Sequence, residues 1–154
     1  MITWIAIKIA ESAGVPNQPG DYQLSDGTIV PKGTPGATPK SFGWYQIHMS
    51  DASMYGGIGA ARRKQFTELF QLGRAFRNED LYNPHINTKA AIQIYKDAGN
   101  SFEPWSAFKN GSYKKHLETA RRVVEQWESE QDETPWNRPS NMTNEAMRAI
   151  NGKN

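Results

Sequence analysis

Between residues 14 and 40 the chain carries five glycines and five prolines. Each proline removes a backbone donor and each glycine weakens a helix, so no helix survives in this stretch. The fold must therefore be built around a long irregular segment, with its regular elements on either side. Within that segment Tyr22-Gln23-Leu24-Ser25 and Thr28-Ile29-Val30 flank Asp26-Gly27, which predicts a hairpin with a two-residue turn. Pro31 to Lys40 reads as a loop.

The residues before the segment are apolar and carry two periodicities. Ile5, Ile7 and Ile9 alternate as in a strand, whereas Ile2, Ile5 and Ile9 share one helical face. Gly14 followed by Pro16 is a helix stop signal and decides for a helix over residues 2–10, with Glu11 in its last turn. Beyond the segment, helical spacing predicts a helix from about Gly59 to Arg77, with Phe66, Leu69, Phe70 and Phe76 on one face. Asn83-Pro84 opens another, with Ile86, Ala90, Ala91, Ile94, Tyr95 and Ala98 as its buried stripe and Gly99 at its end. A last strong helix is expected from about Ser112 to Glu130, with Tyr113, Leu117, Ala120, Val124 and Trp127 on one side. The expected class is α+β, mainly α-helical. Residues 1–130 form the expected domain, and 131–154 a C-terminal extension with one short amphipathic helix from Asn144 to Asn151.

Several classes of function are poorly served by this chain. With no cysteine there is no disulfide, thiol nucleophile or thiolate metal site. His48, His85 and His116 are too widely spaced in sequence for a metal-binding helix motif, so neither a metal nor another cofactor is expected. A net charge of +2 without a basic stripe among aromatics argues against nucleic acid, and Arg62-Arg63-Lys64 reads as a solvated helix face. No run approaches the roughly 20 apolar residues of a membrane span, so no membrane insertion is expected. Met1 to Ile9 lacks the basic start and small-residue cleavage site of a secretory signal.

Glu11 is the residue with chemical promise. It follows an apolar run, where desolvation disfavours the anion, and it lies near a helix C-terminus, where the macrodipole also disfavours negative charge. A carboxyl group kept protonated near neutral pH is what cleavage of a glycosidic bond requires, because the leaving oxygen must receive a proton.

Glu11-Ser12, Ser41-Phe42-Gly43-Trp44-Tyr45-Gln46-Ile47, and Asn87 with Ala91 and Tyr95 resemble, in order and spacing, the successive motifs of lysozyme-like lytic transglycosylases of the soluble type. Trp105-Ser106-Ala107-Phe108-Lys109-Asn110-Gly111-Ser112-Tyr113 resembles the last motif of that family, in versions common among phage-associated proteins. The resemblance spans about residues 1–120. It implies a lysozyme-like fold with a small β-hairpin beside the catalytic cleft, and a cell-wall-degrading activity that breaks the MurNAc-GlcNAc β-1,4 bond. Glu11 would be the acid/base. Ser12 and Gln46 would hold substrate or Glu11, and the backbone around Ile47 would line the cleft. Asn87 would contact the glycan, with Tyr95, Trp105 and Tyr113 as further substrate-binding side chains.

Two departures stand out. Trp44 replaces the usual leucine, and Phe108 stands where the family often has a tyrosine bonded to the catalytic glutamate. Tyr95, Tyr113 or Ser106 are the residues available to replace that hydroxyl. A hydrolytic lysozyme needs a second carboxylate, for which Asp21 and Asp51 are the candidates, Asp26 being claimed by the turn. The alternatives are thus a muramidase, a chitinase-type hydrolase, or a non-catalytic glycan-binding or virion structural module. The expected partners are peptidoglycan glycan strands and other phage virion proteins. The expected place of action is the bacterial cell wall or periplasm, reached from a virion or after lysis.

Overall fold

The computed structural model describes residues 1–132. Among the described residues one α-helix precedes a three-stranded antiparallel sheet and four α-helices follow it. Helix α1 (Ile2–Ser12) is followed by β1 (Pro19–Gly20), β2 (Ser41–Phe42) and β3 (Ile47–His48). Then come α2 (Ile58–Phe70), α3 (Pro84–Asp97), the single turn α4 (Ser106–Lys109) and α5 (Leu117–Asp132). Mixed helix and a small sheet make the α+β class. The helix expected from Asn144 to Asn151, and the 131–154 extension apart from the end of α5, lie outside the described residues.

The stop signal after α1 works through Ala13, which takes the left-handed conformation (φ 53) and donates its N–H to the Ile9 carbonyl at 2.8 Å. Trp4, Ile7 and Glu11 fall at i, i+3 and i+7, so Glu11 projects from the face that α1 gives to the core. Ile7 is fully buried there, and Trp4 packs edge-on against Tyr45 and Trp105, with ring centroids 5.4 and 5.6 Å apart. That shared face is why Glu11 is half-buried rather than solvated.

The sheet has the order β1-β2-β3, with Phe42 opposite both Pro19 and Ile47. Asp26-Gly27 does mark a hairpin, but the pairing of Gln23 with Ile29 is an isolated bridge rather than a strand pair. Its loop holds three residues, not two. Leu24 exchanges backbone bonds with Gly27 and Thr28 (3.0 Å each), and Gly27 at φ 95 adds the extra left-handed residue. Residues 31–40 also pair back, since Gln23 and Thr38 exchange both backbone bonds at 3.0 Å.

Helix α2 is shorter than its periodicity suggested. It ends at Phe70 because Gln71 turns left-handed, and Phe76 reaches the same cluster from the following loop. Phe76 is held by its N–H to Thr67 Oγ1 (2.9 Å) and closes a triangle with Phe66 and Phe70. Leu69, expected on that face, is exposed. Helix α3 begins as read from the sequence, Asn83 Oδ1 accepting from the His85 and Ile86 amides and Pro84 occupying the first turn. The last helix is preceded by a 3-10 turn over Ser112–His116. Ala120 and Val124 of α5 are buried, whereas Trp127, expected beside them, is 51% exposed.

The core is one cluster joining α1, the β2–β3 hairpin, α2, α3 and Trp105. Asn87, fully buried, ties it together. Its Nδ2 donates to the carbonyls of Phe42 and Leu81 (2.9 Å each), and its Oδ1 accepts from the Tyr45 amide (3.0 Å). Gly43 permits this approach. A Cβ there, already strained at φ 74, would collide with the Asn87 amide and the Leu81 carbonyl. Among the described residues no helix is long and apolar enough to cross a membrane.

Candidate active site

One cleft of about 560 Å³ lies between the end of α1, the sheet, the start of α2 and the turn at α4. Glu11, Asp21, Ser41, Gln46, Ile47, His48, Arg62 and Trp105 all line it. Glu11 enters from the last turn of α1, and that end of the helix is pinned to the hairpin. Trp44 Nε1 donates to the Gly14 carbonyl at 2.8 Å, and Lys8 Nζ lies 4.2 Å from the Trp44 ring centre. Trp44 thus tethers the hairpin to the end of α1.

The group that orients Glu11 is a backbone amide. Ala107 N–H donates to Oε1 at 3.0 Å, in the first turn of α4. None of the hydroxyls of Tyr95, Tyr113 and Ser106 is hydrogen-bonded to Glu11 among the described residues. Phe108 stacks on Tyr113 with ring centroids 5.2 Å apart, so the bond to Glu11 in this segment comes from main chain rather than from a side-chain hydroxyl. Burial raises the Glu11 pKa above its ordinary value of 4.5; the Ala107 amide opposes this, and the charge of Asp21 adds to it.

Burial therefore favours the protonated form in the folded protein. The stabilisation is complete below the unfolded pKa of 4.5 and is lost as pH rises through the higher folded pKa. Glu11→Gln keeps an oxygen to accept from Ala107 but cannot ionise. Its Tm should exceed that of the wild type at neutral pH, and the two should converge in acid. A wild type more stable than Glu11→Gln at neutral pH would mean that the fold favours the carboxylate instead.

Asp21 behaves oppositely. Its Oδ2 accepts from the Ser41 hydroxyl and lies 3.7 Å from His48 Nδ1, while Ser41 Oγ and His48 Nδ1 are 3.3 Å apart. The polar interaction with the nearby His48 ring, followed by the Ser41 hydrogen bond, holds the Asp21 carboxyl below its ordinary range despite partial burial. The register of β2 with β3 places Ser41 opposite His48, and β1 delivers Asp21 beside both. Asp21 and Gln46 both hold left-handed backbone conformations, φ 48 and 44. Such conformations cost on the order of 1 kcal/mol each for non-glycine residues, and they concentrate at functional sites. Gln46 is fixed by its Nε2, which donates to the carbonyls of Gln18 (2.8 Å) and Gly43 (2.9 Å). On the same wall Gln23 Nε2 and His48 Nε2 are buried without a hydrogen-bond partner among the described residues.

The other predicted site residues fall elsewhere. Asn87 is entirely buried and its amide is spent on backbone, so it cannot reach a glycan in this arrangement. The Asn87-Ala91-Tyr95 stripe faces the core instead of a groove, and Tyr95 packs on Trp4 and Phe102 at 5.3 and 4.7 Å. Ser12 is buried and donates to the Lys8 carbonyl at 3.0 Å. Tyr113 lies against Phe108, off the cleft. Asp51 pairs with Arg63 at 2.6 Å and does not line the cleft. Trp105 does line it, but is 4% exposed and uses its Nε1–H on the Tyr45 carbonyl (2.9 Å).

The chain matches no protein-family model, no curated protein and no solved structure. Its function therefore rests on the cleft itself.

The residues that sequence reasoning passed over are Ser41 as a partner of Asp21, His48, and Arg62. Ser41 opens the Ser41–Ile47 motif, and His48 directly follows it. Arg62 gave no signal, since Arg62-Arg63-Lys64 reads as an exposed basic run. Among the described residues no group of three or more His, Asp or Glu is arranged to hold a metal ion.

Proposed function

We propose that this chain is a lysozyme-like enzyme that cleaves the β-1,4 bond between MurNAc and GlcNAc in peptidoglycan, acting as a lytic transglycosylase with Glu11 as acid/base. The observation that carries the reading is a pair of carboxyl groups in one cleft whose surroundings push their pKa values apart, Glu11 up and Asp21 down. Such a divergence separates a proton donor from a group that stays charged. Glu11 donates its proton to the glycosidic oxygen as the C1–O bond breaks. The C6 hydroxyl of the same muramoyl residue then attacks C1 and returns its proton to Glu11, leaving a 1,6-anhydro end. Asp21, already committed to Ser41 and His48, would act through its charge, favouring positive charge as it develops on the sugar ring. The motif order of Glu11, Gln46 and the hairpin supports a lysozyme-like fold, and the family resemblance supports the cell wall as the place of action.

Hydrolysis is the second reading, and the position of Asp21 in the same cleft favours it. There Asp21 would activate a water instead of acting through charge alone. Mass spectrometry of the muropeptides released from bacterial walls separates the two. Anhydromuramic ends are expected, and products with only reducing ends would transfer the assignment to a muramidase. Release of soluble chitooligomers from chitin without release from walls would indicate a chitinase-type hydrolase, and binding without any release a glycan-binding module.

A further inference from the structure

Arg62 differs from Arg63, Arg74, Arg121 and Arg122, each of which pairs with a carboxylate. It lines the Glu11 cleft and also a second groove of about 560 Å³ bounded by α2 and α3. The two share Ile58, Arg62, Ile94 and Pro104, so they adjoin along these residues, of which Arg62 alone is charged. One nitrogen, Nη1, donates to the His48 carbonyl at 2.5 Å. Among the described residues Arg62 forms no ion pair. Asp97, whose charge acts on it at longer range, has its two carboxylate oxygens held by Gln65 and Gln93 at 2.7 Å each.

A cation removed from water without a counter-ion is unfavourable unless something completes it. Burial lowers the Arg62 pKa to about 10, the mark of a desolvated guanidinium whose charge is not fully compensated. It stays charged at neutral pH. With Nη1 occupied by His48, Nε and Nη2 remain as a planar pair of donors, matched to the two oxygens of a carboxylate. Glu11 and Asp21 line the cleft but not the second groove, so an anionic group on the glycan is better received at the junction than beside the reacting bond.

We propose that the junction of the two grooves is a carboxylate subsite, in which Arg62 receives a carboxylate carried by the muramoyl residue of a bound glycan. The substrate class rests on the peptidoglycan reading; the subsite itself rests on Arg62. The carboxylate comes either from a free lactyl group or from the stem peptide that substitutes it. An uncharged chitin chain offers neither, so the subsite separates wall glycans from chitin.

The test uses the full chain with Glu11→Gln, which holds glycans without turnover, and calorimetric titration with three ligands. These are peptide-free MurNAc-GlcNAc tetrasaccharide, the same glycan bearing stem peptides, and chitotetraose. At least one carboxylate-bearing ligand should bind about tenfold more tightly than chitotetraose, and adding Arg62→Gln should erase that margin. The ligand that loses the margin identifies the source of the carboxylate, and Arg62→Lys should restore part of it. The comparison is between ligands on one protein, so partial destabilisation of a variant cannot imitate the result. Equal loss for all three ligands would reduce Arg62 to a tether between β3 and α2 and overturn the subsite. Equal binding of all three before Arg62 is changed, or binding of none, would overturn it too. If the wild type releases no wall fragments yet the margin exists and depends on Arg62, the enzyme reading fails and the subsite stands. Fragment release without the margin gives the reverse.

Discussion

Glu11→Gln should lower the release of soluble fragments from peptidoglycan by about 10²–10⁴-fold, the range that general acid catalysis supplies. The amide is nearly isosteric and retains an oxygen for the Ala107 N–H, so α4 keeps its contact with α1 and the cleft keeps its shape. What disappears is the proton. The loss should fall on kcat, because Gln fills the same space against bound glycan. Parallel measurement of Tm and of glycan binding completes the test. A folded Glu11→Gln protein with wild-type turnover would end the role of Glu11 as acid, and with it the reaction proposed for this cleft. The activity should also decline as pH rises through the Glu11 pKa, since only the protonated form donates, and on the acid side as Asp21 takes up its proton.

Asn87→Ala should be the most damaging substitution to the fold, at about 3–4 kcal/mol. The side chain is 0% exposed, and its loss leaves the carbonyls of Phe42 and Leu81 and the amide of Tyr45 buried without partners. For a chain of this length that corresponds to a fall in Tm of roughly 10 °C. Asn87→Asp should recover little, because a carboxylate accepts from Tyr45 but cannot donate to two carbonyls. The family resemblance assigns Asn87 to the glycan, and the two roles separate cleanly. An unchanged Tm with a raised KM would place Asn87 against substrate, whereas a lowered Tm with KM retained below the melting range is the expected result.

The contrast between these residues shows what the amino-acid order could and could not deliver. The Asn83 cap with Pro84, the stop after α1 and the turn at Asp26-Gly27 were legible because each depends on neighbours within four residues. The position of Glu11 in a last turn follows from the same local signals. Face assignment was not legible to that degree. Helical spacing groups Asn87 with Ala91 and Tyr95, and Val124 with Trp127, but spacing alone does not say which partner the face meets. The first group faces the core rather than a groove, and Trp127 lies exposed while Val124 is buried.

Sequence by itself determined the α+β class, the helix boundaries set by caps and breakers, and Glu11 as the carboxyl with a reason to stay protonated. Only the tertiary structure decided what surrounds it. Ala107 meets Glu11 from 96 residues away, Asp21 meets Ser41 from 20, and Arg62 reaches the cleft across 14 residues from the His48 carbonyl. Contacts of that range arise when elements pack. They carry no periodicity of their own, so burial, charge pairing and the orientation of the acid emerge only once the chain is folded.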